Sequence, residues 1–521
     1  MKNSCYELMS AKADRQNKIV FYDHAFSISR FIRDIDGLSG GFADLGLNKG
    51  DVVSLYLPTC PQSLAAFYAC SKLGLVANFI HPTLPLAKVK ENLAKTNSKA
   101  LLFFDALTKD ESVFFDCKQI LVRCSVADYE GVRKPLFKLY SAVKSKKTQG
   151  IFAYERLICS KTSTQSVGEG DDVVCYMHSG GTTGEAKIVA LTNQALNFAA
   201  ESLFFAHHAP FPAKNLYSLV TLPIFHAYGL CSAVHFPLLC GYGLVLVPKF
   251  DCGWVRKYIN KYKVAFWLVV PSMLRKLLAK NSFGCKGMKH IVDIWCGGDF
   301  ADESLLQQCD EQLKKYGTTA TVLRGYGLTE TCGACLVCTR EFDRKNSAGV
   351  ALPNTSVKIH DDGDNDLPVN TVGEIVMYTP ALMKGYLGGG ENITADGGLR
   401  TGDIGYRDED GFVYVLDRKK RSVKIAAINV FPSEIERCVC ENLSFVSQCC
   451  VVGYKQQGKQ FLKAFVVINK DVSSDEVAAC VKKVCEEKLS KYCRPEQVEI
   501  VNEIPVTRMG KVDFLALEKR C

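Results

Sequence analysis

Short apolar runs alternate with helix-like stretches along most of this 521-residue chain, and no other feature constrains its fold as tightly. Residues 52–57, 75–80, 100–104, 119–122, 173–177, 244–247, 265–270 and 291–295 read as strands. Residues 25–45 read as a helix, and 61–73 as a helix with one apolar face. Strands interleaved with helices predict parallel sheets and an α/β class. The chain is too long for one hydrophobic core, so two or more domains are expected. Residues 347–359 and 372–378 read as β structure, a smaller subdomain. Beyond the charge run Asp417-Arg418-Lys419-Lys420-Arg421, an independent α+β unit is expected. One of its helices begins at a capping box between Ser433 and Glu436. Another begins near Ser473, with Val477, Val481 and Val484 on one face. Strands fall at 445–452, 461–468 and 498–501. The expected organisation is a large N-terminal domain of sheets flanked by helices plus the β subdomain, over 1–417, and a small C-terminal α+β domain over 418–521.

The chemistry gathers at His178-Ser179-Gly180-Gly181-Thr182-Thr183-Gly184-Glu185-Ala186-Lys187. Glycines let backbone amides approach a ligand closely, and successive N–H groups form an anion-binding concavity. The hydroxyls add donors, and Lys187 adds a point charge suited to phosphate. Taken alone, the segment also fits a flexible surface loop. It lacks the G-x-x-x-x-G-K-[ST] spacing of a Walker loop. Downstream, in order, come Arg324-Gly325-Tyr326-Gly327-Leu328-Thr329-Glu330-Thr331, Arg400-Thr401-Gly402-Asp403, Asp417-Arg418-Lys419-Lys420 and Pro505-Val506-Thr507-Arg508-Met509-Gly510-Lys511.

This ordered set resembles the adenylate-forming superfamily, which includes acyl- and aryl-CoA synthetases, 4-coumarate–CoA ligase, firefly luciferase and peptide-synthetase adenylation domains. The resemblance runs from about Asp51 to Lys511. It implies ATP, Mg²⁺ and CoA (or a carrier-protein pantetheine) as cofactors and co-substrates. It also implies a role for each matched residue. Ser179, Gly180, Gly181, Thr182, Thr183, Gly184 and Lys187 would hold the phosphates. Gly297, Gly298 and Asp299 would form the turn against the adenine. Tyr326, between Gly325 and Gly327, would stack on the purine. Thr329 would contact the α-phosphate, and Glu330 would hold Mg²⁺, since hard cations take oxygen ligands. Asp403 would accept both ribose hydroxyls, although an Asp in T-G-D is otherwise a turn residue. Arg418 would complete the nucleotide site, and Lys511 would serve adenylation. The small domain would be mobile about a hinge at Lys420. Its rotation would bring Lys424 to the site for thioester formation, with Ala427 beside the pantetheine arm. The pattern is broken at Ala186 for the usual Pro, Ile188 for a Gly, and Ala427 for a Gly.

His226, in Leu222-Pro223-Ile224-Phe225-His226, reads by itself as a structural histidine. The resemblance places it in the acyl tunnel, positioning the carboxylate. Amino-acid-activating relatives carry an Asp there, which His226 cannot replace. Residues 230–239 and 332–338 would add small apolar walls, apart from Ser232 and His235. An uncharged acyl or aryl group is therefore expected.

Composition narrows the partners. Hydrophobic content of 47% and charged content of 23% are those of a soluble globular chain. A net charge of +9, without a nucleic-acid motif, gives no reason to expect nucleic acid. The 24 cysteines are scattered and read as reduced, buried small hydrophobes in a cytoplasm. Cys332, Cys335 and Cys338 resemble part of an iron–sulfur spacing, but no fourth ligand follows at that spacing. No signal peptide, membrane span or C-terminal targeting motif is read. Residues 133–147 are basic and amphipathic. They suit either a solvated surface or peripheral contact with an anionic membrane.

The reading is a two-domain, AMP-forming carboxylic acid–CoA ligase acting on an uncharged fatty or aromatic monocarboxylate. The alternatives are delivery of the acyl group to an acyl-carrier protein, and a non-catalytic nucleotide-binding relative.

Overall fold

The computed structural model describes residues 3–108, 114, 117–129, 150–179, 187–390, 392–425, 428–456, 459–469, 472–506 and 512–521. The basic 133–147 stretch lies outside the described residues.

Two large sheets organise the N-terminal part. The first runs Gly385–Tyr386, Ile188–Thr192, Val173–His178, Val76–Phe79, Val52–Tyr56, Ser98–Phe104, Ile120–Cys124, Ile151–Ala153 across its width. From Val173–His178 onward neighbouring strands are parallel, and the two strands on the other edge are antiparallel. The second sheet runs Val350–Ala351, Gly333–Val337, Val322–Leu328, Asp293–Cys296, Val264–Val269, Tyr217–Val220, Gly243–Leu246, Lys18–Phe21, His24–Ser27. Its centre is parallel and both its edges are antiparallel.

Central strands are mostly apolar because both faces are covered. Every residue of Val264–Val269 is buried. Helices Cys252–Lys261, Pro271–Ala279 and Glu303–Lys315 form a core on one face of the second sheet. On the other face, helices Ile28–Asp44 and Pro61–Leu73 share one continuous core with residues of both sheets. Helix Pro61–Leu73 starts with proline in its first turn and stops at Gly74, which has φ +67.

A four-stranded antiparallel sheet of Ser356–His360, Gly373–Tyr378, Leu399–Arg407 and Val413–Arg418 follows. The smaller C-terminal α+β unit pairs Val446–Gln456, Lys459–Ile468 and Gln497–Ile500 against helices Pro432–Asn442 and Ser474–Lys488.

Three local expectations change. The helix expected over 25–45 begins at Ile28, because His24–Ser27 pairs as an edge strand and Ser27 caps the helix through the Arg30 N–H. The capping box at Ser433 and Glu436 does not form. Pro432 occupies the first turn, the Ser433 hydroxyl donates to the Leu416 carbonyl, and Glu436 pairs with Arg421. The strand Ile188–Thr192 was not anticipated. By contrast, Ser473 caps its helix as expected, by accepting from the Glu476 N–H.

The cysteines are free thiols, mostly buried. Burial pushes Cys332 far above the usual thiol range and Cys335 up to about 12, so both are inert packing groups. Among the described residues no cluster of three ligating side chains could hold a metal, and no helix is long and apolar enough to cross a membrane.

The first sheet contains a buried polar network. Asn78 Nδ2 donates to Ser54 Oγ and Asn92 Oδ1, each at 2.7 Å, and Ser54 Oγ lies 2.7 Å from Ser98 Oγ. Asn78→Ala strands these partners in the core, where a lost buried hydrogen bond costs about 1–3 kcal/mol. Denaturant unfolding should show an unfolding free energy lowered by that amount and a correspondingly lower midpoint. An unchanged midpoint would contradict the network's structural role.

Candidate active site

The glycine-rich loop joins two antiparallel strands. His178 pairs with Ile188 across its base, and the Ser179 N–H donates to the Lys187 carbonyl at 2.9 Å. Gly180, Gly181, Thr182, Thr183, Gly184 and Ala186 lie outside the described residues. Ile188 is buried in the strand, so its β-branched side chain serves packing at the loop's end. His178 is held by side chains of the first sheet and its helix: its Nε2 lies 3.2 Å from Asn92 Nδ2 and 3.4 Å from Asn78 Oδ1. Burial lowers its pKa to about 4, so the ring is neutral near pH 7 and can accept from Asn92.

Lys187 and Glu330 meet through a residue that sequence reasoning missed. The Lys187 ammonium sits 4.1 Å from the ring centroid of Tyr386 and 3.4 Å from the Gly390 carbonyl. The Tyr386 hydroxyl donates to Glu330 Oε1 at 2.8 Å. Strand Gly385–Tyr386 is placed by pairing with Ile188–Thr192, and the Met383 N–H donates to the Glu330 backbone carbonyl at 2.8 Å. Only that tertiary pairing brings Tyr386 here. No spacing in the sequence signals it.

Thr329 and Glu330 occupy a tight turn between strands Val322–Leu328 and Gly333–Val337. The hairpin is close: a Cβ on Gly327 would lie 1.7 Å from the Gly333 carbonyl oxygen, so only glycine fits. The Gly297–Gly298–Asp299 turn follows strand Asp293–Cys296. Gly297 is buried, whereas Gly298, at φ +82, and Asp299 are exposed. A Cβ on Gly297 would be 2.9 Å from the Gly325 carbonyl oxygen and 3.4 Å from the Tyr228 ring. The two glycine segments therefore pack as one surface.

Asp403 is 2% exposed and engaged on both oxygens. The Tyr326 hydroxyl donates to Oδ2 at 2.5 Å, and Arg418 Nε donates to Oδ1 at 2.7 Å. Burial, then the Asp403 charge, push the Tyr326 phenol far above its usual range, so it remains a donor. The structure thus joins Tyr326, Asp403 and Arg418 in one group.

His226 lies in an aromatic cluster, its ring centroid 4.8 Å from Phe225 and 6.3 Å from His81. It precedes a wide helix with i→i+5 bonding, Tyr228–His235, where an ordinary helical stretch was expected. His235 does not line a pocket. It is buried between the Tyr68 hydroxyl at 3.1 Å and Asn197 Oδ1 at 2.9 Å.

The connection to the small unit is anchored on both sides. Lys419 pairs with Asp362 at 2.8 Å and Glu374 at 3.0 Å, and its N–H donates to the Gly402 carbonyl at 2.8 Å. Arg421 pairs with Glu436, donates to the Val451 carbonyl at 3.2 Å and lies over the Phe514 ring. Lys420, between them, is exposed. Lys424 is exposed on strand Val423–Ile425. Neither lies in the group around Glu330 and Asp403. Ala427 and Lys511 lie outside the described residues.

His178 generates a pH prediction. Its folded pKa is depressed, so its contribution to stability is complete above the unfolded value of about 6.5. That contribution is lost as pH falls toward about 4. Wild-type melting temperature should fall more steeply than that of His178→Gln between about pH 7 and pH 5. Parallel profiles would contradict a neutral, largely desolvated imidazole at the end of strand Val173–His178.

Residues 9–387 match the AMP-binding enzyme family, and residues 434–511 match the AMP-binding enzyme C-terminal domain. The chain belongs to this family, and the resemblance to adenylate-forming enzymes holds. It is similar to 4-coumarate–CoA ligase-like 6 of Arabidopsis thaliana, 28% identical over 489 residues, covering 91% of this chain and 82% of that one. The long-chain-fatty-acid–CoA ligase of Bacillus subtilis is 27% identical over 532 residues, covering 96% and 91%. Among solved structures, a benzoate CoA ligase from Burkholderia xenovorans shares the fold with a TM-score of 0.84 at 17% identity, covering 99% and 100%. The o-succinylbenzoate CoA synthetase of Bacillus subtilis, in complex with its acyl-adenylate intermediate, gives 0.80 at 23%, covering 99% and 98%.

Proposed function

From its membership of the AMP-binding enzymes, we propose that this chain is an ATP-dependent carboxylic acid–CoA ligase for uncharged monocarboxylates. The observation that carries the reading is the joining of Lys187 to Glu330 through Tyr386, beside the Tyr326–Asp403–Arg418 group. A phosphate-binding cation, a metal-binding carboxylate and a diol-binding carboxylate then serve one nucleotide. The relatives' names, all CoA ligases, favour free CoA over a carrier protein as acceptor.

In the first half reaction, a carboxylate oxygen of the acid attacks the α-phosphorus of ATP and pyrophosphate leaves. No general base is needed, because a carboxylate is already ionised at pH 7. The task is to bring anions together, so positive charge must stand where negative charge gathers. Lys187 and the glycine-rich loop would orient the departing phosphates, and Lys511 would supply positive charge to the reacting carboxylate and phosphate. Asp403 receives the ribose hydroxyls, and its bonds from Tyr326 and Arg418 hold it oriented. Thr329 donates to the α-phosphate.

Glu330 fits a Mg²⁺ that keeps waters and substrate phosphates as its other ligands. It is a partly exposed carboxylate with one oxygen held by a neutral hydroxyl, and no protein cage surrounds it among the described residues. The ion would add positive charge at the phosphate oxygens.

In the second half reaction, the CoA thiolate attacks the acyl carbon and AMP leaves. The bracketing of Lys420 by the Lys419 and Arg421 anchors supports a pivot there, between a domain over 1–417 and a mobile one over 418–521. Lys424 and Ala427, on the small domain, would face the site after rotation. His226 supplies no fixed negative charge, which supports exclusion of α-amino acids.

Pyrophosphate release should occur with aliphatic or aromatic monocarboxylates and not with amino acids. Lys511→Ala should lower adenylation by two to three orders of magnitude, since one such electrostatic group is worth about 3–4 kcal/mol. Thioester formation from pre-made acyl-adenylate should persist. Amino acids as the best substrates, or equal loss in both half reactions, would overturn this assignment.

A further inference from the structure

Strands Val264–Val269, Asp293–Cys296 and Val322–Leu328 of the second sheet are parallel, and the last two run toward Gly297 and Thr329. The residues assigned to the nucleotide therefore lie where these strands finish. The edge where they start takes no part in the proposed chemistry, yet it carries three exposed phenylalanines. Phe211 is 63%, Phe342 49% and Phe205 43% exposed. They form one patch: the Phe205 and Phe342 rings stack at 6.4 Å and 19°, and Phe204, beside Phe205, meets Phe211 edge-on at 5.5 Å. His208 fastens the loops that bear them. Its N–H donates to Asp293 Oδ2 at 3.0 Å, its Nδ1 lies 2.9 Å from Asp293 Oδ1, and its Nε2 is 3.5 Å from Glu341. Asp293 is buried at the start of its strand, so polar anchors hold the rings at the surface. Single exposed apolar side chains are ordinary, whereas a contiguous group marks an interaction surface.

Cations surround the patch. Lys214 follows Phe211 on the same loop. The Lys263 carbonyl accepts from the Tyr217 N–H at 3.0 Å, which ties that residue to the end of the loop. Lys289 sits on the turn Lys286–His290 that leads into strand Asp293–Cys296, and Arg340 donates to the Val292 carbonyl at 2.6 Å. All four are exposed. Between Asp251 and Asp293 the chain holds nine Lys and Arg residues and no Asp or Glu. Of the acids nearby, Glu341 lies beside His208, while Asp343 and Glu201 pair with Arg324 and Lys12.

We propose that this strand-start edge docks the protein on an anionic lipid bilayer. Phe205, Phe211 and Phe342 enter the headgroup region, and Lys214, Lys263, Lys289 and Arg340 meet the negative lipid headgroups. Such an interface suits both kinds of side chain, because it buries apolar area and attracts positive charge. A second copy of this chain fits less well, since a two-fold contact would set the cationic rim against itself. Strand Val322–Leu328, seven residues long, spans about 23 Å. A protein docked by the start of that strand keeps the turn at its far end open to soluble ligands.

Flotation of the full chain with lipid vesicles tests this, comparing phosphatidylcholine alone with mixtures holding about 30% phosphatidylserine, whose surface is negative. The wild type should bind the anionic vesicles about 10-fold or more tighter than the neutral ones. That preference should fade as salt rises from about 50 to 500 mM. Reversing charge with Lys214→Glu and Lys289→Glu together should weaken binding about 10-fold or more. Phe211→Ser should weaken it several-fold at unchanged charge. Phe211→Trp should bind, and its emission should shift to the blue and be quenched by lipids brominated on the acyl chain, beyond any change in the wild type. All these side chains are exposed, so each variant should melt like the wild type. Absence of binding to anionic vesicles at low salt, or binding that charge reversal leaves intact, would overturn the proposal. Binding untouched by Phe211→Ser, with no blue shift in Phe211→Trp, would overturn the entry of the aromatic patch. A concentration-dependent dimer that Phe211→Ser dissolves would assign the patch to a second copy instead. Vesicle binding needs no turnover, so its outcome is independent of the ligase reading.

Discussion

The segment Met383–Leu387 holds the site together. On one side its backbone joins the edge of the first sheet: the Lys384 N–H donates to the Ala190 carbonyl and the Leu387 N–H to the Ile188 carbonyl, each at 2.8 Å. On the other side it grips the turn of the second sheet, through the Met383 N–H on the Glu330 carbonyl and the Tyr386 hydroxyl on the Glu330 carboxylate. The two sheets come from distant parts of the chain. The shared core sets the two sheets together, and this stitch adds a direct polar link between the strand after Lys187 and the turn bearing Thr329 and Glu330. Preorganised charge is effective in catalysis because it need not be assembled during the reaction.

A second constraint acts at the other end of the molecule. On the proposed reading, two half reactions with different nucleophiles call for two arrangements of one small unit. The contacts on either side of Lys420 would suit a pivot there. Lys419 is tied to Asp362 and Glu374 of the four-stranded sheet, and Arg421 is tied to Glu436 of the small unit. Rotation about the exposed residue between them would leave both sets of ion pairs intact. Asp417 adds a contact across the same joint by accepting the Ser433 N–H at 2.9 Å. These are a few polar contacts, far fewer than an apolar core would supply, and interfaces of that kind permit domain motion.

Much of this was legible in the residues. The α/β class followed from alternating strands and helices, and Lys187, Tyr326, Glu330 and Asp403 each stood in a motif. What escaped depends on long-range pairing. Tyr386 contributes only because two residues of strand dock on Ile188–Thr192, a strand overlooked beside the conspicuous glycine loop. The neutral His178 was hidden because its partners, Asn78 on a neighbouring strand and Asn92 on helix Leu86–Lys95, are distant in sequence. The Ser433 capping box failed because a local pattern met two stronger tertiary partners, the Leu416 carbonyl and Arg421. The wide turn of helix after His226 has no composition that marks it.

On the proposed reading, Lys187, Tyr386 and Glu330 form one catalytic centre for adenylation. Acid-dependent exchange of labelled pyrophosphate into ATP tests it most directly, in the wild type and in Tyr386→Phe, across a range of Mg²⁺ concentrations. Removing the hydroxyl keeps the ring beneath Lys187 but frees the Glu330 carboxylate. The account predicts exchange reduced about 10- to 100-fold at limiting Mg²⁺, with partial recovery at high Mg²⁺, in a variant that melts like the wild type. Exchange equal to wild type at every Mg²⁺ concentration would contradict it.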